Sequence, residues 1–344
     1  MSALNVLQAA AAVSKGSAEG ALPPHIVRFT LEYASKPDLV KESGRIRAML
    51  GASGFELDPF DPDLAQFAVL QFPGVARTIS APTLYAMADE LARNLGLVSC
   101  VPDVGATFVE DPNPLDPITE SAIGDAILKV TCLAEEDASL SKQWAIKSIR
   151  ADKAWAKTRG AGIIIAQPDT GIARHAEVDP SAIDLTKAKN ILNNTNDPTD
   201  PLPAGSGNPG HGTATSSVVI SRQTGAIIGS APEATLVPIR CVQSVIIGID
   251  GSPLARAVLH AKRIGADVIT MSLGGPFYHG ALGEALKQAV DAGIIVCAAA
   301  GNCVQPIVVY PASDPNVIAL AGVNHDDAPW KGTSRGSKRA LSKG

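Results

Sequence analysis

The sequence has no block of basic residues. Its 29 Lys and Arg are outnumbered by 34 Asp and Glu, and the formal net charge is −5. That balance gives no electrostatic footprint for nucleic acid. No apolar run approaches the roughly 18 residues of a membrane span, so no membrane contact is expected. The opening "MSALNVLQAAAAVSKG" has an apolar stretch but no positive charge before it; its first basic residue is Lys15. A secretory signal is therefore not expected, and the reading is cytoplasmic. The cysteines number five, an odd count without paired metal spacing. They read as small buried apolar residues in a reducing compartment.

What is present is length and apolar content. A chain of 344 residues, 46% hydrophobic, suggests two domains more readily than one. In the first, "HIVRFTLEY" reads as a strand and "PDLVKESGRIRAMLG" as a helix stopped by Gly51. A short strand follows around Phe55 to Leu57, then "AQFAVLQF". "APTLYAMADELARNLG" places Leu84, Met87, Ala88 and Leu91 on one helical stripe and ends at Gly96. "LVSCVPDV" closes the series. The order βαββαβ over residues 22–104 predicts a small ferredoxin-like α+β domain. Residues 105–142, rich in Pro and acidic side chains, read as a linker with at most one short helix.

From 143 to 344 strands and helices alternate. "GIIIAQ", "TLVPIR", "ADVITMSL", "GIIVCAAA" and "NVIALAGV" are continuous apolar runs, the pattern of strands covered on both faces. Between them, Leu254, Val258, Ala261 and Ile264 form one helical stripe, and Leu282, Leu286 and Val290 another. The alternation predicts an α/β domain with a parallel sheet, its sites gathered at the carboxyl ends of the strands.

Four blocks follow such strands. Asp169 lies in "PDTGI"; taken alone, an Asp capping the turn before Gly171 explains it as well. Pro168 before it removes a backbone donor, which a strand end tolerates. His211 lies in "GHGTATSSVV". A helix starting just after it would disfavour the imidazolium and keep the ring a neutral base; an ordinary loop histidine is the bland alternative. "SLGG", residues 272–275, has two glycines that let another backbone come close. Asn302 in "AAAGN" offers an amide to an oxyanion, or is simply a turn residue.

Together and in this order, Asp169-Thr170-Gly171, Gly210-His211-Gly212-Thr213, Ser272-Leu273-Gly274-Gly275 and Ala300-Gly301-Asn302 resemble the signature blocks of the subtilisin-like serine proteases, peptidase family S8. The resemblance spans about 142–340, and "KQWAIKSIRADKAWAKTRGAG" looks like the segment leading into the family's first strand. The βαββαβ region looks like the family's inhibitory propeptide, a partner held in cis. The resemblance implies a three-layer α/β/α fold and a Ser-His-Asp hydrolase acting on peptides or proteins. Asp169 would orient the imidazole, His211 would be general base and then acid, and Asn302 would help form the oxyanion hole. Ser272, Leu273, Gly274 and Gly275 would line the substrate backbone. The small residues around His211 would make room for nucleophile and substrate.

The nucleophile is the departure. The family's catalytic Ser follows Gly-Thr, with small residues and a proline after it, and opens a long buried helix. The one "GTS" here, Gly332-Thr333-Ser334, runs instead into "RGSKRALSKG". Its surroundings resemble a strand and loop well before the nucleophile, so Ser334 reads as a loop serine. The expectation is a chain truncated before its nucleophile and inactive as given. The alternative is a non-enzymatic relative that binds peptides or inhibits through its propeptide-like domain. A nucleotide-binding reading fails for want of a glycine-rich loop in "PDTGIARH". No cofactor is certain. Relatives often bind calcium, and "NNTNDPTD", 193–200, offers oxygen ligands, although a solvated loop is the plainer reading. No other metal site is indicated.

Overall fold

The computed structural model describes residues 25–51, 54–75, 81–103, 143–202, 208–223, 225–248, 251–302, 307–336 and 338–339. The expected linker, 105–142, lies outside them. The chain forms two compact units: one built on the amino-terminal residues to 117, with 248–252 and 279–284 grouped with it, and one from the remainder.

In the first unit the elements run β1 (His25–Glu32), α1 (Leu39–Leu50), β2 (Glu56–Pro59), β3 (Phe67–Val75), α2 (Ala81–Leu95) and β4 (Ser99–Asp103). The strands pair antiparallel in the order β2-β3-β1-β4, which is the ferredoxin-like arrangement. Asp38 caps α1 by accepting from the N–H groups of Val40 and Lys41. Gly51 (φ 74°) and Gly96 (φ 66°) leave the two helices in backbone conformations that other residues resist. The stripe Leu84, Met87, Ala88 and Leu91 is fully buried, as are Phe29, Leu31, Leu70 and Phe72 of the sheet. Phe29 and Phe72 meet edge to face at 6.3 Å.

The second unit begins with two short helices, α3 (Trp144–Ser148) and α4 (Ala151–Ala154), then β5 (Ile164–Asp169) and β6 (Lys189–Asn190). It continues with α5 (His211–Ile220), β7 (Thr235–Arg240), α6 (Ser252–Arg263), β8 (Val268–Met271), α7 (Gly280–Asp291), β9 (Ile295–Ala299), β10 (Ile307–Val308), β11 (Ile318–Leu320) and β12 (Lys338–Arg339). Six strands form a parallel sheet in the order β11-β9-β8-β5-β7-β6. The fold is α/β with a parallel sheet, as expected. Two-residue strands such as β6 and β10 carry too little pattern to be seen in a sequence.

β5 is central, between β7 and β8. The chain moves from it to β6 and β7 on one side, then returns to β8, β9 and β11 on the other. β5 therefore ends at the point where the strand order reverses, where open α/β sheets keep their ligand crevice. Pro168 costs β5 little. β8 pairs only with Ile165 and Ala166, so no ladder remains on that side for the proline to interrupt.

The faces of this sheet differ in cover. Ile165 and Leu236 share a buried cluster with Ile220 of α5, Val178 and Ala182. The same face continues through Val268 to β9 and β11, where Ile295, Ile318 and Leu320 are each more than half exposed. On the opposite face Ile269, Met271, Val296 and Ala298 are buried. "NVIALAGV" was expected to be covered on both faces. It is instead an edge strand, exposed at all three of its residues, because among the described residues no element packs beyond it. Of the cysteines described, Cys100, Cys241 and Cys297 are free thiols, and only Cys241 is fully buried.

Candidate active site

Asp169 is the last residue of β5 and is 1% exposed. A carboxylate so deep must be bonded. Its Oδ1 accepts from the backbone N–H of Thr170 at 2.7 Å and lies 2.8 Å from Nδ1 of His211. Its Oδ2 lies 3.2 Å from the hydroxyl of Thr215. That hydroxyl accepts in turn from the Gln167 amide at 2.7 Å. Its one proton therefore goes to Asp169, to the His211 carbonyl 3.0 Å away or to the Gly212 carbonyl 3.2 Å away.

His211 is the first residue of α5 itself, one position earlier than the sequence suggests. Gly210 before it takes φ 74°, the left-handed turn that aims the helix. Since a carboxylate only accepts, the short contact assigns the proton to Nδ1 and leaves the Nε2 lone pair as the basic one. Nε2 has no hydrogen-bond partner among the described residues, and the side chain is 25% exposed. The pair thus has a buried, bonded carboxylate end and a partly exposed imidazole end.

The small residues around the ring have a different cause from the one expected. A Cβ on Gly212 would run into the carbonyl oxygen of Gly171 and stand 3.3 Å from the Asp169 Cβ. A Cβ on Gly171, whose φ is 117°, would stand 2.5 Å from the Pro198 carbonyl oxygen. These glycines let the two signature loops and residues 198–200 lie against one another. The room they make is filled by the chain's own backbone.

The block after β8 behaves similarly. Gly274 donates to Val245 and accepts from Ile247, at 2.9 and 3.0 Å. Gly275 pairs both ways with Tyr310 at 2.8 Å. A Cβ on either glycine would strike Val309 or Ile247. Leu273 is buried, which leaves half-buried Ser272 as the polar side chain of this block. Asn302 follows β9, at the same carboxyl edge of the sheet as Asp169, and its side chain is exposed. It forms a bridge with Thr333, and among the described residues no hydrogen bond joins it to the Asp169–His211 pair. Next to it, the Ser334 N–H donates to Gly301 at 2.7 Å. Ser334 is fully buried, and its hydroxyl has no hydrogen-bond partner among the described residues.

Residues 160–342 match the model of the subtilase family, Peptidase_S8. The chain belongs to the subtilase family. Thermitase of Thermoactinomyces vulgaris is 31% identical to this subtilase over 188 residues, which cover 54% of this chain and 64% of thermitase. The major intracellular serine protease of Bacillus subtilis (strain 168) is 35% identical over 191 residues, 52% of this chain and 57% of the relative. The extracellular protease of Xanthomonas campestris pv. campestris is 29% identical over 264 residues, 66% of this chain and 43% of the relative. The matched part of the chain thus spans between 43% and 64% of the length of these relatives. Among solved structures, MycP1 with its N-terminal propeptide removed matches with a TM-score of 0.45 and 24% identity, covering 57% of this chain and 67% of that one.

The acidic loop 193–200 does not fit a cation. Asn193 and Asp197 accept from the N–H and hydroxyl groups of Thr195 and Thr199. The Lys189 ammonium lies 3.4 Å from the Asn196 side-chain oxygen. Among the described residues no group of three or more His, Cys, Asp or Glu is placed to hold a metal. No helix among them is long and apolar enough to cross a membrane. The Cys241 thiol lies near Asp169. Burial, and then the carboxylate's charge, push its pKa well above the ordinary thiol value, so it is an inert neighbour.

Proposed function

We propose that this subtilase carries the base and orienting half of a serine-endopeptidase site acting on peptide or protein chains. The observation that carries the reading is the 2.8 Å contact from His211 Nδ1 to Asp169, with Nε2 lacking a hydrogen-bond partner among the described residues. Asp169 holds the ring in the tautomer whose Nε2 accepts the nucleophile's proton, and it stabilises the imidazolium that results. His211 then returns that proton to the leaving amine. Asn302 donates its amide to the oxyanion, a contribution of about 3 to 4 kcal/mol where such donors have been removed. Residues 272–275 border the path of the substrate backbone, with Ser272 as the side chain left to meet it. The amino-terminal domain, 22–104, acts in cis as a propeptide-like inhibitor joined through 105–142.

Ser334 is not the nucleophile. A nucleophile must be reached by substrate and lie within a hydrogen bond of its base, and Ser334 is buried, its hydroxyl without a hydrogen-bond partner among the described residues. These 344 residues therefore do not turn over peptides with Ser334. The same burial favours a second reading, a subtilase domain that binds peptides without cleaving them. A fluorophosphonate probe with intact-mass detection tests the assignment. The expected result is no adduct at Ser334 and an identical profile for Ser334→Ala. An adduct on Ser334 that disappears in Ser334→Ala would sink it.

A further inference from the structure

Asp169 and His211 come from two separate elements, the end of β5 and the start of α5, and something has to keep them in register. Asp169 is fixed by β5. His211 is fixed by the start of α5, 42 residues later. A second carboxylate, Asp200, touches the chain beside both residues. It is 2% exposed and belongs to neither signature block.

Asp200 arrives there through backbone pairing. Ile172 donates to the Pro198 carbonyl at 2.9 Å, and Asp200 N–H returns to the Ile172 carbonyl at 3.0 Å. The Asp200 side chain then turns inward. Its Oδ2 accepts from the Thr170 hydroxyl at 2.7 Å and from the Gly210 N–H at 3.0 Å. Its Oδ1 accepts from the Leu202 N–H at 2.8 Å. Thr170 completes the link, because its hydroxyl oxygen accepts from the Gly212 N–H at 3.1 Å. A single oxygen of Asp200 therefore holds the residue after Asp169 and the residue before His211. Through Thr170 it also reaches the residue after His211.

We infer that Asp200 is a positioning residue for the His211 base, acting through Thr170 and Gly210 on the geometry of the Nδ1–Asp169 contact. The inference rests on the reading of His211 as the base. A carboxylate serves here where an amide or hydroxyl would serve poorly. The donors converging on it are three, two of them on one oxygen, and a carboxylate is all acceptor. Glycines at 171 and 212 remove the side chains that would otherwise separate the loops it joins. A tie that only held the fold together would not have to grip both neighbours of the same histidine.

The imidazole itself gives a readout independent of any nucleophile. In the full chain, proton NMR would follow the His211 Nδ1–H resonance and its exchange with water. Wild type is expected to show a low-field, slowly exchanging signal. Asp200→Ala and Thr170→Val are each expected to speed its exchange by about tenfold or more, the equivalent of one hydrogen bond to a charged group. Thr170→Ser keeps the hydroxyl and should restore the wild-type rate. Leu254→Ala, a buried change in α6, serves as a control that lowers Tm without touching the site, and its signal should stay wild-type. If Asp200→Ala does not fold, the Thr170→Val and Thr170→Ser pair decides. A folded Asp200→Ala or Thr170→Val with the wild-type signal overturns the inference. An unchanged signal in Asp169→Asn would instead strike down the Asp169–His211 pairing on which the proposed function rests.

Discussion

β5 and β11 are both apolar strands of one parallel sheet, and they end in opposite circumstances. β5 is paired on both sides and buried from Ile165 onward. β11 is an edge, with Ile318 and Leu320 exposed by 53% and 54%. Both strands carry Ile and Ala, and the difference in their exposure comes from what is laid over them. At β5 the cover is Ile220 of α5 and the Val178–Ala182 turn. α5 also delivers His211, so the covered half of the sheet and the candidate base are one construction. At β11 no described element plays that part.

Truncating a side chain should show the contrast most strongly. Leu236→Ala removes a fully buried side chain from the covered half, and about 2 to 5 kcal/mol of stability should go with it. Leu320→Ala should cost less than about 0.5 kcal/mol. Urea unfolding of the two variants checks both values. Equal losses would mean that β11 is covered in solution.

A smaller effect is expected from pH at the β6 side of the sheet. His260 on α6 lies 2.7 Å from the Lys187 carbonyl, next to β6. Burial lowers its pKa below the ordinary value near 6.5; the hydrogen bond to that carbonyl opposes the shift in part, and the charges of Lys189 and Arg263 add smaller lowering effects. The folded state therefore binds the proton less readily than the unfolded one. Stability from this group is complete above about pH 6.5 and is lost as pH falls through the lowered pKa. His260→Gln should flatten that part of the stability profile, measured as Tm between pH 5 and 7.5. A profile with unchanged slope would show that another group carries it.

The smallest change in stability should come with a visible change in behaviour. Ile318→Lys and Leu320→Lys place charge on the exposed edge. They should alter Tm little while reducing light scattering on concentration, because an unpaired apolar edge is a template for association. A wild-type chain that stays monodisperse at the same concentration would remove the premise.

The strands were legible because apolar runs and their flanking glycines are local signals. "GIIIAQ" is found within two residues of β5, and the stripe on α2 is buried residue for residue. The Asp169–His211 pair was legible because two short blocks point to it. Its supports were not. Asp200 ends "NNTNDPTD", whose plainer reading is a solvated loop, and only the pairing of Ile172 with residues 198–200 turns its side chain inward. Gly212 and Gly275 were read as openings for a substrate. Their neighbours, the Gly171 carbonyl and Ile247, approach from distant parts of the chain, which no local pattern reveals. The exposure of β11 was hidden for a related reason, since a strand's sequence records its own character and not the arrival of a partner.

The central place of β5 has a consequence during synthesis. It leaves the ribosome first among the strands of its sheet, and both of its neighbours are still to be made. The Ile164 N–H finally donates to Asp267, 103 residues further on. At translation rates of 5 to 20 residues per second, that wait is about 5 to 20 s. For that interval the apolar stretch from Ile163 to Ala166 has no β8 beside it. A nascent chain arrested shortly before residue 267 should therefore be the form most readily captured by holdase chaperones, with capture falling once β8 has emerged and paired.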